Sequence, residues 1–377
     1  MKILAISHAY TEPFTRAGLI EQGKYGDVDI TVVVPKCMAK RHPEGYKKLV
    51  GENYDVKAVG TVFNFHNSVR KYLPGLFFLI WGLKPDIIFI NNEPWSSTAV
   101  QVVFFCSIFL PGTKVLIYTC ENLVRKYPLP FRWMEKFVLK RAGLLLAVTE
   151  KEGEAVLRGK GYTGRVAYLP LSVDTGVFKK LDVRELRKSV AGDSKFVIGY
   201  VGRIVREKGV DLLIEAAKKL NTDYHILIMG DGREKMAIEH LVKKYGIIDR
   251  VSFLDFIPHE RLPEYLNCLD ALVLPSRTTP NWKEQFGRVL IEAMACGVPV
   301  IGSSSGEIPN VVGDAGLIFE EGDAGSLFNH LKTLAENTDL RKELGLKEKQ
   351  RVDERFSAEK VNALTYDIYR QVLDEKQ

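Results

Sequence analysis

Five cysteines in 377 residues, none spaced as a metal-ligand pair, make a poor framework for disulfides or zinc. Cys37, Cys106, Cys120, Cys268 and Cys296 are scattered, most of them inside apolar runs. They read as reduced, buried thiols of a cytoplasmic protein, and no metal is expected. Long apolar runs are also missing. The longest, TAVQVVFFCSIFL (Thr98–Leu110), has 13 residues and includes Gln101, whereas a membrane span needs roughly 20. The opening MKILAIS holds a single Lys before a short strand-like run and does not have the form of a secretory leader. No G-x-G-x-x-G follows a strand-like run, which counts against a dehydrogenase. The net charge of +6 is modest. Its basic residues are interspersed with acids and form no aromatic-basic platform, so nucleic acid is not an expected partner.

What is present is alternation. Strand-like runs at 2–7, 29–35, 86–92, 114–120, 143–149 and 165–171 are separated by helical patterns, among them 67–83, 94–110 and 131–141. Near-continuous apolar strands with helices between them predict a parallel sheet covered on both faces. The charged stretch 173–195 reads as a linker with one short helix. The alternation then restarts, with strands at 195–204, 223–230, 250–257, 270–276, 298–303 and 315–321. The fold class is therefore α/β, with two doubly wound domains facing across a cleft, residues 1–175 and 194–356. The helical tail from Ser357 to residue 377 is expected to cross back to the first domain.

In such sheets ligands bind beyond the carboxyl ends of the strands. In the second domain the first strand is followed by VGRIVREKG, with Gly202, Arg203 and Lys208. Two cations beside a helix start suit a diphosphate, although a basic surface loop would look the same. The second strand is followed by MGDG, where Gly230, Asp231 and Gly232 form a tight turn that a flat ligand can approach. The stretch NWKEQFGRVLIEAMACGVPVIGS places Glu284 and Glu292 eight residues apart. Between them the amides of Phe286, Gly287 and Arg288 lie at an expected helix start. Carboxylates accept strong hydrogen bonds from sugar hydroxyls. Glu292, flanked by Leu290, Ile291, Ala293 and Met294, needs a partner that a ligand hydroxyl would supply.

EQFGRVLIEAMACGVPVIGS resembles the E-x7-E signature of the retaining GT-B-fold glycosyltransferases of family 4, the group 1 glycosyltransferases. VGRIVREKG, MGDG, LPS (274–276) and GDAGLIFEEGD (313–323) occur in that family's order, and residues 121–162 are also similar. The resemblance implies transfer of a sugar from a nucleoside-diphosphate donor, UDP- or GDP-linked, to an acceptor hydroxyl on a glycan, a lipid-linked sugar or a small molecule. It implies that Arg203 and Lys208 bind the diphosphate, Glu284 the sugar hydroxyls and Glu292 the ribose, with MGDG and the segment after FLDF (253–256) near the base. No cofactor or metal is implied, and no D-x-D motif is found in a suitable loop.

This chain departs from the family's pattern on the acceptor side. The loop after the first strand, SHAYTEPFTRAG, offers Arg16 and Gly18 in place of a Gly-Gly pair. Glu121 and Asn122 stand where many members carry a histidine. The rival readings are a nucleotide-sugar epimerase of the same architecture and a catalytically silent nucleotide-sugar-binding subunit. A membrane question comes with NSVRKYLPGLFFLIWGLK (67–84), which joins Arg70, Lys71 and Tyr72 to a Leu/Phe/Trp run. An interfacial helix with peripheral contact at the inner face of a membrane would carry that pattern. A core helix would also carry it, and the nearly all-round apolar character favours the core.

Overall fold

A computed structural model of the chain describes residues 1–38, 53–64 and 69–375. It divides into two units, Met1–Pro170 with Ala358–Gln377, and Leu171–Ser357.

In the first unit, runs of β-branched residues form strands buried on both faces. Val32, Val33 and Val34 have no exposed surface. Burial of such a side chain is worth about 1.5–3 kcal/mol, which is what selects these segments for the sheet interior. The strands are β1 (Lys2–Ile6), β2 (Asp29–Pro35), β3 (Asp55–Val59), β4 (Thr61–Val62), β5 (Lys71–Tyr72), β6 (Ile87–Asn91), β7 (Lys114–Thr119), β8 (Leu144–Ala147) and β9 (Arg165–Tyr168). All but β4 and β5 join one parallel sheet in the order β3-β2-β1-β6-β7-β8-β9, and β4 and β5 form a small hairpin. The unit's helices before the chain leaves it are α1 (Ala17–Gln22), α2 (Gly75–Leu83), α3 (Ser97–Phe109), α4 (Phe131–Leu139) and α5 (Glu152–Gly159).

The second unit holds α6 (Arg184–Ala191), β10 (Phe196–Val201), α7 (Val210–Ala217), β11 (Tyr224–Met229), α8 (Lys235–Lys244), β12 (Val251–Leu254) and α9 (Leu262–Leu266). There follow β13 (Ala271–Leu274), α10 (Arg288–Ala295), β14 (Val300–Ser303), α11 (Ile308–Val312), β15 (Leu317–Phe319), α12 (Ala324–Glu336) and α13 (Thr338–Arg355). Its sheet is parallel, in the order β12-β11-β10-β13-β14-β15. The chain builds outward from β10 to β12, returns beside β10 at β13, and builds outward the other way. The crevice between β10 and β13 is thus the topological switch point, where doubly wound sheets bind ligands.

The last helix, α14 (Ala358–Asp374), belongs to the first unit and packs on α1. Gln22 donates to Asn362 at 2.9 Å and Tyr25 stacks on Tyr366 at 4.0 Å.

Several expectations need correction. The stretch 173–195 is built into the second unit: Val173 donates to Phe356 at 2.9 Å, and Phe178 packs 5.1 Å from the His259 ring. The helix expected over 67–83 begins at Gly75, because Lys71 and Tyr72 pair as a strand instead; residues 67 and 68 lie outside the described residues. That helix is only partly core. Leu76 and Ile80 are buried, while Phe78 and Trp81 face outward. Cys106, Cys268 and Cys296 are buried as expected, but Cys37 is exposed. No helix among the described residues is long and apolar enough to cross a membrane.

Candidate active site

The loop after β10 carries Gly202, Arg203 and Lys208, and the loop after β13 carries Ser276, Trp282 and Glu284. The two loops meet at the switch point. Lys208 Nζ lies 2.6 Å from Glu284 Oε2, and Ser276 Oγ donates to the same oxygen at 2.7 Å. The Lys208 ammonium also lies 5.1 Å from the centre of the Trp282 ring. Glu284 is 6% exposed. A carboxylate this deep needs compensating partners, and it has a cation and a hydroxyl. Its loop is held as well, since its carbonyl accepts the Glu307 amide at 3.2 Å. The lysine keeps two further N–H donors beyond the one used on Glu284.

Lys208 is placed by a close approach of backbone. Gly209 has φ 66°, and a Cβ there would lie 2.0 Å from the Pro275 carbonyl oxygen. Only glycine both adopts this left-handed conformation readily and admits the neighbouring strand end. Arg203 is exposed, and its backbone carbonyl accepts a hydrogen bond from Tyr200 Oη at 2.7 Å. Burial pushes the Tyr200 hydroxyl well above its ordinary range, with the Glu284 charge adding to the rise. Tyr200 is thus a neutral donor at physiological pH that fixes the backbone from which Arg203 projects.

The loop after β11 locks onto the loop after β10. Ile204 N donates to Asp231 O at 2.8 Å, and Glu234 N to Ile204 O at 3.0 Å. A Cβ on Gly230 would meet the Gly202 carbonyl oxygen at 2.1 Å. Gly230 and Gly232, whose Cβ would stand 2.3 Å from the Ile204 carbonyl oxygen, therefore have a reason internal to the protein, the close packing of two loops. Asp231 is exposed beside them.

Two details of the glutamate stretch differ from expectation. The helix starts at Arg288, with Gly287 as its left-handed N-cap, and Phe286 is buried with its ring edge-on to Phe356 at 5.8 Å. Glu292 is buried, but a ligand hydroxyl is not needed to satisfy it. His259 Nε2 lies 3.0 Å from its Oε1, on the segment between β12 and α9. The sequence reading quoted the stretches holding Ser276 and Trp282 but gave neither residue a role, and it did not single out His259. Ser276 was within reach, because LPS closes a strand whose end must face the switch point. His259 was not, because it is 33 residues from Glu292 and no local pattern links them.

The residues expected on the acceptor side are in the first unit. Glu121 and Asn122 are buried after β7. Glu121 accepts from Tyr127 and pairs with Lys160 at 2.5 Å, and Lys160 also pairs with Glu135 at 2.6 Å. Glu93 receives the Thr119 hydroxyl and the Cys120 amide. Burial, and secondarily the Glu121 charge, pushes the Glu93 carboxyl up to about 7. Arg16 has no exposed surface and donates to the Tyr10 carbonyl at 3.2 Å. Gly18 lies against Asn362, 3.2 Å from where a Cβ would stand. Arg16 is thus packed into the first unit, and Gly18 is half-buried. No cluster of three or more metal-ligating side chains occurs among the described residues.

Residues 182–351 match the family model of the glycosyl transferases group 1. The chain is 35% identical over 210 residues to N-acetyl-alpha-D-glucosaminyl L-malate synthase of Bacillus anthracis, a match covering 54% of this chain and 53% of that protein. It spans about half the length of the curated relatives it matches first. Its fold superposes on a sucrose-phosphate synthase from Thermosynechococcus elongatus with a TM-score of 0.79 at 20% identity, covering all of both chains. Anabaena HepE, solved in complex with UDP, superposes with a TM-score of 0.76 at 19% identity over 98% of this chain and 100% of that one. The fold is of the GT-B class, with two Rossmann-like units, and the likeness to the group 1 glycosyltransferases lies in residues 182–351 of the second unit.

Proposed function

We propose that this chain is a retaining glycosyltransferase that moves a sugar from a nucleoside-diphosphate donor to an acceptor hydroxyl. The observation that carries this reading is the Lys208–Glu284–Ser276 cluster, a half-buried lysine on a buried carboxylate and hydroxyl, which joins the ends of β10 and β13 at the switch point.

Breaking the anomeric bond leaves positive charge on the sugar and negative charge on the departing diphosphate. Lys208, held by Glu284, directs its remaining donors at the leaving phosphate, and Arg203 supplies a second, exposed cation. Fixed charges of this kind contribute a few kcal/mol each to the transition state. With these two cations the reaction runs without a metal ion. Glu284, whose loop is fixed at its backbone, accepts hydroxyls of the donor sugar, and the amides at 286–288 face the phosphates. Glu292, oriented by His259, accepts the ribose hydroxyls, and the turn at Gly230–Gly232 lies toward the base. The leaving phosphate takes the acceptor's proton, so retention requires no separate base. Asn122 and the Glu121 network shape the acceptor side from within the first unit.

Because Anabaena HepE is held with UDP, UDP-linked sugars come first in a donor panel, followed by GDP-linked ones. Product mass spectrometry decides the reaction. Nucleotide release that requires an acceptor, with the anomeric configuration retained, is the expected result. Donor isomerisation without release would replace this reading with an epimerase.

A further inference from the structure

Helices that cover a sheet in a water-soluble protein normally carry charge on their outer face. Two neighbouring helices of the first unit do not: α2 (GLFFLIWGL) and α3 (STAVQVVFFCSIF) contain no Asp, Glu, Lys or Arg. Their inward residues fill the core, and their outward residues, apart from Ser107 and the glycines of α2, are also apolar. Phe78, Trp81, Phe104, Ile108 and Phe109 are each more than half exposed. The patch is continuous, since Phe77 stacks on Phe105 at 5.0 Å and Trp81 meets Phe109 edge-on at 6.2 Å. It extends to α4 through Phe104 and Phe137, 6.4 Å apart, and the Arg141 guanidinium lies over the Phe137 ring at 4.1 Å. An exposed apolar surface of this kind marks a site of association.

Charge identifies the partner. Between residues 70 and 141 eight basic side chains are exposed, and the four acids, Asp86, Glu93, Glu121 and Glu135, are all buried or half-buried. The cations flank the aromatic patch. Lys84 follows α2, while Arg132, Lys136, Lys140 and Arg141 lie along and just beyond α4. Each of the three helices leads into a strand of the parallel sheet, α2 into β6, α3 into β7 and α4 into β8. Their C-terminal ends, with Lys84, Phe109 and Arg141, therefore gather at the sheet edge opposite the strand carboxyl ends, and attachment there leaves the ligand edge free.

We propose that the α2–α3–α4 face docks on an anionic phospholipid surface. Phe78, Trp81 and Phe109 enter the headgroup region while the flanking lysines and arginines pair with lipid phosphates. Aromatic side chains favour that interface, and basic residues add salt-dependent attraction to anionic lipid. This inference stands on the first unit alone and holds whether or not the transfer reaction does.

The test is co-sedimentation of the full chain with sucrose-loaded vesicles of phosphatidylcholine, with or without about 30% phosphatidylglycerol. Binding is expected only with the anionic lipid, and it should weaken as salt rises from about 0.1 to about 0.5 M. Phe78→Glu combined with Trp81→Glu should lower binding at least about tenfold. Lys140→Gln with Arg141→Gln should reduce both binding and its salt dependence. All four positions are exposed, so melting temperatures should match the wild type, and any variant that melts early is replaced by Trp81→Ser. Brominated lipid should quench tryptophan fluorescence less in Trp81→Phe than in the wild type. Failure of the wild-type chain to bind anionic vesicles overturns the proposal. So does undiminished binding by the folded Phe78→Glu/Trp81→Glu variant. A dimer that Trp81→Glu dissociates, with no vesicle binding, would assign the face to a second copy of the chain and overturn it too.

Discussion

The two units share a topology and differ in where they put charge. Each sheet has its switch point beside its first strand, between β1 and β6 in one and between β10 and β13 in the other. At the second unit's switch point cations are in excess at the ligand edge: one lysine and an exposed arginine against one glutamate. On the corresponding side of the first unit three carboxylates, Glu93, Glu121 and Glu135, gather around a single buried lysine. The helices show the same contrast. In the second unit α13 is laced with i,i+4 pairs such as Lys347–Glu343 and Lys349–Asp353, both 2.7 Å. In the first, α2 and α3 carry no charge at all. A shared sheet order thus leaves the chemistry of each face open, and side-chain choice at strand ends and on helix exteriors sets it.

The contrast is tested hardest at the cations. Lys208→Ala should lower kcat/KM by about 10²–10³-fold, the range for loss of one preorganised charge at a transition state. Steady-state kinetics with the accepted donor measures it, and near-wild-type turnover would dissociate the cluster from the chemistry. Lys160→Met is the counterpart in the first unit. It removes the one cation facing three carboxylates and should destabilise the protein by about 3–5 kcal/mol at neutral pH. Denaturant unfolding of the two proteins side by side gives the value, and the deficit should shrink toward pH 5 as Glu93 and Glu135, both raised by burial, take up protons. Gly209→Ala tests the backbone that places Lys208. The added methyl meets the Pro275 carbonyl at 2.0 Å, and the cost should be about 1–3 kcal/mol together with a fall in kcat.

The first unit should also show a pH signature. The Glu93 carboxyl is raised to about 7 in the fold, so the native state holds a proton that the unfolded chain has already released. Stability should therefore fall as pH rises from about 4.5 to about 7, and level off above that. Glu93→Gln, neutral throughout, should flatten this part of the curve when melting temperature is followed against pH. Glu348 offers a comparison of the same sign in the second unit. It has no exposed surface, receives the Val300 amide at 2.9 Å, and is pushed well above the usual carboxylate range by burial. The Glu93→Gln curve should thus retain a residual slope that Glu348→Gln removes.

These contrasts were unevenly legible in the sequence. The strands and the restart of the alternation were readable because parallel strands buried on both faces are continuous apolar runs. The edge strand β3 was not, because DVKAV is short and mostly exposed, and so lacks that pattern. Lys208, Glu284 and Glu292 stood out through their spacing and the loops that hold them. What their side chains touch was hidden, because Lys208 meets Glu284 across 76 residues and His259 meets Glu292 across 33. The full burial of Arg16 was also hidden, because a charged residue in a loop after a strand is usually solvated. The α2 run was read as core because an apolar helix gives no sign of which residues face outward. Only the packing of Leu76 and Ile80 against the sheet separates them from Phe78 and Trp81.

The smallest expected effect falls on the pair that the sequence half revealed. Glu292 and His259 make one hydrogen bond at the margin of the site, 25% of the histidine side chain being exposed. Such a bond contributes about 1 kcal/mol, so His259→Ala should raise the donor KM about fivefold and leave kcat nearly unchanged. Glu292→Gln should raise KM further, since the amide keeps the shape but loses the strong acceptor that ribose hydroxyls favour. The ordering of the two variants carries the information. If His259→Ala were the more damaging, the histidine would be touching the donor itself, and Glu292 would be the residue that positions it. A kcat loss in either variant with KM unchanged would move the pair from ribose binding to the transition state.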